Sequence, residues 1–93
     1  MRGFVRVDTG AAAALARGSS LLAAGITAVD GDFQRGDAIA VIGPEGHTLA
    51  RGLSEYDAAE CARLMGHHSR EHEDLLGYAP RSALIHRDQL VLL

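Results

Sequence analysis

Apolar and polar positions divide the chain into short segments of changing period. In "GFVRVD" (3–8), Val5 and Val7 fall on one side and Phe4 and Arg6 on the other, which predicts a strand. "TGAAAALARG" (9–18) switches to helical spacing. Ala11, Ala14, Leu15 and Gly18 share a face of small side chains, which predicts a helix packed closely on a sheet. Asp8 or Thr9 can cap it, and Gly18 can supply a left-handed stop. "SSLLAAG" reads as a loop, "ITAV" (26–29) as a strand and "DGDFQRGD" as turn chemistry. "AIAVIG" (38–43) and "HTLARGL" (47–53) form a hairpin through Pro44-Glu45-Gly46.

"YDAAECARLMG" opens a second helix, with Asp57 and Glu60 at capping-box spacing and Gly66 as its stop. Ser69 caps a third, short helix through Leu76, ended by Gly77. "ALIH" and "QLVLL" are the last strands. The unbroken apolar run of "QLVLL" predicts a strand buried on both faces. No βαβ unit repeats. The pattern predicts a mainly β fold: a small mixed sheet curled into a barrel-like core, with two or three short helices at its edges.

Composition narrows this little. The 93 residues suit one domain spanning 1–93. A chain this short buries roughly 60–65% of its unfolded surface, enough for one core and not for a two-lobed enzyme. The net charge of −3 disfavours strong nonspecific nucleic-acid binding, although arginines can still gather locally; the chain has no lysine. The lone Cys61 excludes an intrachain disulfide and fits a reducing cytoplasm. No apolar run approaches the ~20 residues of a membrane-spanning helix.

Four stretches invite chemical readings. His86-Arg87-Asp88 copies the start of a protein-kinase catalytic loop, H-R-D-L-x-x-x-N. Here Gln89 follows Asp88 and Leu93 stands at the Asn position, so a turn into the last strand is the better reading, with Asp88 bonding local amides. In "GHHSREHE" (66–73), His68 and His72 are four apart. Ser69 occupies the place of the glutamate in HExxH, and a cap there would put His68 outside the helix. Cys61 shares a helical face with Ala58, Ala62 and Met65 and reads as core. Arg6, Arg17, Arg35, Arg51 and Arg87 are scattered. With two Tyr, two Phe and no Trp, the chain is poor in base-stacking groups.

The ordered set V-D-x-G-A-x-x-A-L, A-R-G-L-x-x-Y, S-x-E-x-x-x-x-L-G-Y and I-H-R-D-x-L-V-L resembles the C-terminal PUA domain of the glutamate 5-kinase family over nearly the whole chain. Two departures are physically mild. Ala23 stands where the family often has Pro, and Asp57-Ala58 replaces a Ser-rich cap.

The resemblance implies a PUA-like pseudo-barrel of mixed strands with flanking helices. It implies a parent enzyme that transfers the γ-phosphoryl of ATP to the side-chain carboxylate of L-glutamate, in the first step of proline biosynthesis. ATP, magnesium and glutamate would belong to an N-terminal amino-acid-kinase domain outside these residues. No catalytic, cofactor or metal residue is then expected in this chain, which reads as a piece of a longer enzyme with Met1 an added start. Elsewhere the module binds structured RNA near its first helix and the following loop. On that basis Arg6, Arg17 and Arg35 are the candidate contacts, to RNA held weakly or to another domain. The expected partners are the kinase domain of the same polypeptide, further copies in a homo-oligomer, and RNA, with no membrane. An RNA binder should gather its arginines on one face, whereas a docking module should show an apolar patch.

Overall fold

The computed structural model describes residues 3–67 and 83–93. Strand β1 (Gly3–Val7) leads into helix α1 (Thr9–Ala16), and a single 3-10 turn, Ala23–Gly25, precedes β2 (Ile26–Gly31). The hairpin β3 (Ala38–Ile42) and β4 (Thr48–Leu53) follows, then helix α2 (Ala58–Leu64). A second 3-10 turn, Arg87–Gln89, feeds β5 (Leu90–Leu92). The sheet runs in the order β2-β1-β3-β4-β5. Among the described strands only the β1–β3 pairing is parallel, so the sheet is mixed, as expected.

Strand alternation sets the two faces of the sheet. Val5, Val7, Ile39, Val41 and Ala50 point inward and are buried. Phe4, Ala40, Arg51 and Val91 pair in one row on the opposite face. Leu15 of α1 and Cys61 and Leu64 of α2 close over the inner face. Burying each such large side chain contributes about 1.5–3 kcal/mol. Asp8 caps α1 by accepting from the Ala11 amide at 2.8 Å. Asp57 and Glu60 form the predicted capping box at 2.8 and 3.0 Å. Gly18 and Gly66 take positive φ where stops were expected.

Several expectations change. β2 continues through Gly31, into the stretch read as a turn, and Phe33 just beyond it is fully buried. On α2 the inward side is Cys61 with Leu64, while Ala62 and Met65 are exposed. The helix is only seven residues long, so its buried face is a single i, i+3 pair.

"ALIH" is not a strand. Its one pairing is an isolated bridge, Leu21 to Ile85. Ala83, Leu84 and Ile85 are all buried, because the segment runs through the core instead of joining a ladder. Leu84 donates its amide to Leu21 and accepts from Glu55, both at 2.8 Å. The third helix from Ser69 to Leu76, with His68 and His72, lies outside the described residues.

β5 corrects the expectation of burial on both faces. It is an edge strand, and only Leu90 is half-buried. An apolar run reads the same whether it is sandwiched or simply left bare. Asp88 is a second correction, since no local amide donates to its carboxylate. His86 does the capping instead, its Nδ1 accepting from the Asp88 amide at 3.2 Å. The Arg87 amide reaches across to Ser20 Oγ at 2.8 Å.

Alanine substitutions at the two aspartates should therefore separate. Asp88→Ala should stay within about 0.5 kcal/mol of wild type, as for surface changes that remove no cap. Asp57→Ala should cost about 1 kcal/mol. Chemical denaturation of both variants checks this; equal losses would contradict it.

Candidate functional site

Two surfaces stand out, one beside α1 and one around β5. The first is a groove of about 340 Å³ lined by α1 and the loop after it, including Asp8, Ala11, Ser19, Ser20 and Leu22. Its floor depends on Gly25. A Cβ there would come within 2.5 Å of the Ala11 Cβ, so only glycine lets the helix settle this close. Among the described residues, its lining carries the Asp8 carboxylate and no arginine. That is a poor setting for phosphate, whose binding depends on cationic neutralisation.

The arginines expected to make contacts sit on three different elements. Arg6 lies mid-strand on the outer face of β1, paired with Ile42 at the end of β3. Arg17 is the C-cap of α1. Arg35 precedes the other end of β3 and donates Nε to the Glu55 carbonyl at 3.0 Å. Arg6 and Arg35 are thus separated by the length of a strand, on the order of 15 Å at ~3.3 Å per residue. The fold thus puts the three on three separate elements, with Arg6 and Arg35 at opposite ends of β3.

The second surface is apolar. Val91 is 58% exposed, Leu92 49% and Leu93 66%, with Leu53 of β4 at 42%. Grooves flank β5 on both sides. On the outer side Leu53 and Val91 share one of about 360 Å³ with Arg51 and Asp88. On the other, Leu92 and Leu93 line one of about 280 Å³ with Leu49, Ala12, Leu15 and Ala16. Sequence reasoning missed this surface, because the leucine run was assigned to the interior. The available signal was the lack of any charge or proline in "LVLL", which protected edges usually carry.

The described residues hold no constellation for phosphoryl transfer. His86, Arg87 and Asp88 lie exposed on the 3-10 turn before β5, with His86 Nδ1 3.5 Å from Asp88 Oδ2. Among the described residues no group of three His, Cys, Asp or Glu side chains could hold a metal. Cys61 is fully buried, 3.9 Å from both Ser54 Oγ and the Tyr56 carbonyl. Burial pushes its thiol up to about 12, against a smaller lowering by the Ser54 hydrogen bond. The Asp57 and Glu60 carboxylates add to the rise. Such a thiol is a packing group, not a nucleophile.

Comparison with known proteins gives a consistent result. A family model described as "PUA domain" matches residues 3–76. A glutamate 5-kinase of Novosphingobium aromaticivorans is 87% identical over 93 residues, covering all of this chain and 25% of that protein. A glutamate 5-kinase of Sphingopyxis alaskensis is 55% identical over 91 residues, covering 98% of this chain and 25% of its own length. The chain therefore spans about a quarter of these curated relatives. Among solved structures, a PUA domain from Aeropyrum pernix in a tartrate complex matches with a TM-score of 0.69 and 29% identity, covering 92% of this chain and 42% of that one. An archaeal box H/ACA sRNP complex matches with a TM-score of 0.63 over 99% of this chain and 23% of that one. At 18% identity it shows the shared fold alone.

The Cys61 environment makes a pH prediction. The unfolded chain loses the thiol proton near its ordinary value of 9, whereas the folded chain keeps it to about 12. The folded state then binds more protons, so this group's contribution falls as pH rises through that window. Native protein at pH 8 should resist a thiol-reactive disulfide reagent until denaturant is added. Full reaction within the mixing time of native protein would contradict the burial.

Proposed function

The chain belongs to the PUA domain family, matching the glutamate 5-kinases over its whole length, and from that premise we propose that it is a non-catalytic accessory domain that docks on the kinase domain of the same polypeptide and tunes its activity. One observation carries the reading. The described surface shows a bare apolar edge at β5, where a docking module needs one. ATP, magnesium and glutamate are then handled by the other three quarters of the enzyme. The whole enzyme works in the cytoplasm, where those substrates are. No described helix is long and apolar enough to cross a membrane.

RNA binding is the competing reading, and its support is the ribonucleoprotein among the fold neighbours. The groove beside α1 argues against it here, since among the described residues its lining offers the Asp8 carboxylate and no cation. Binding of structured RNA should stay near the nonspecific range of about 10⁻⁴–10⁻⁶ M and fall steeply with salt. Nanomolar affinity in a filter-binding titration at physiological salt, lost in Arg17→Ala, would put the RNA reading first.

The direct test of the docking reading begins with activity. Phosphoryl transfer needs a nucleotide cradle and groups that neutralise the developing charge. The purified 93-residue chain should form no glutamyl phosphate above blank with ATP, magnesium and glutamate. The full-length relative should do so, and deleting its PUA portion should change its kinetics without abolishing turnover. Turnover by the chain alone, or kinetics indifferent to the deletion, would overturn the proposal.

A further inference from the structure

The two edges of the sheet are treated differently. β2 packs against α2 and carries Asp30. β5 has no second neighbour among the described residues, and Leu90, Val91 and Leu92 carry no charge. An uncovered, uncharged edge is a template for another strand.

Its hydrogen-bonding groups can be assigned. Leu93 donates its amide to the Leu49 carbonyl at 2.9 Å, and Val91 pairs with Arg51 two residues along. In an antiparallel ladder the bonded pairs alternate, so residues 91 and 93 direct their backbone groups to β4. Those of Leu90 and Leu92 point the other way. The Leu90 amide is taken by the Arg87 carbonyl. The Leu92 N–H and C=O and the Leu90 C=O therefore form an outward-facing set of one donor and two acceptors.

We infer that β5 accepts an added strand from the kinase portion of the same polypeptide, with Leu92 as its central backbone contact. The strand's alternate side chains enter the two flanking grooves, against Leu53 and Val91 on one side and Leu92 and Leu93 on the other. This rests on the docking reading and specifies its geometry.

The size of the patch selects the occupant. Four partly exposed aliphatic side chains amount to on the order of a few hundred Å². A stable association of independent chains needs about 800 Å² from each partner. A second copy at ordinary concentration is thus held poorly. A covalently attached domain, at an effective concentration in the millimolar range, needs far less. In the relatives, three quarters of the polypeptide lies outside this region and supplies such a tethered partner.

Residue-resolved amide hydrogen exchange tests this, comparing the 93-residue chain, which has its own core, with the full-length relative. The Leu92 amide should exchange freely in the chain and at least about tenfold more slowly in the full-length enzyme. Leu92→Pro removes the outward N–H while sparing the bonds to β4. It should leave the melting midpoint of the chain nearly unchanged and loosen the domain in the full-length enzyme. Domain tumbling, followed by spin relaxation, separates the two claims. If the domains tumble as one body while Leu92 exchanges freely, the strand addition is wrong and docking stands. If they tumble independently, docking itself fails. Concentration-dependent protection of Leu92 in the chain alone would assign the edge to a second copy and overturn the occupant.

Discussion

The crossing of the final segment over Gly52 holds the architecture together. A Cβ at Gly52 would lie 2.7 Å from the Gln89 carbonyl oxygen and 2.7 Å from Ile85 Cγ2. Without that carbon, residues 85–89 can lie directly on β4. The crossing buries Leu84 and Ile85 in the core and brings Ile85 to Leu21. It also places Arg87 against Ser20, and so ties the chain's last segment to the loop after α1. Everything after it follows from that placement: the 3-10 turn, the antiparallel entry of β5, and the exposure of its outer edge.

The HRD triplet acquires its meaning from the same crossing. Its three residues occupy a tight turn in which Ser20 Oγ accepts from the Arg87 amide and His86 Nδ1 from the Asp88 amide. A turn here serves geometry, since it redirects the chain from the core to the rim of the sheet. The functional proposal depends on what the turn delivers. The delivered strand is apolar and, among the described residues, unpaired on one side, in a chain that is one quarter the length of its relatives. The strand at the other edge, β2, packs against α2. The asymmetry fits a module with one attachment side, and the capped helices and buried Cys61 belong to the scaffold that holds that side rigid.

Much of this fold was legible in the residues, and the limits have physical causes. Capping residues act locally, so Asp57, Glu60, Gly18 and Gly66 were assigned correctly from neighbours a few positions away, and Asp8 was one of the two caps offered for α1. The hairpin was legible for the same reason. Leu84 and Ile85 were not, because their burial depends on a crossing that joins distant segments. The same limit applies to β5. Hydrophobicity reports that a strand avoids water, and it does not report whether this chain or a neighbouring domain supplies the cover. The likeness to the glutamate 5-kinases was readable from ordered motifs and agrees with the comparisons. The roles of Arg6, Arg17 and Arg35 were not readable, since pattern alone could not place them on separate elements.

The central claim is that the module works through its β5 edge against the rest of its own enzyme. A photo-crosslinking amino acid placed in the full-length enzyme at the residue that corresponds to Val91, on the exposed outer side of β5, tests this most directly, with adducts mapped by mass spectrometry. The account predicts adducts to the kinase portion of the same polypeptide, at a yield independent of protein concentration. Adducts only between PUA domains of separate chains, or none at all in the active enzyme, would contradict it.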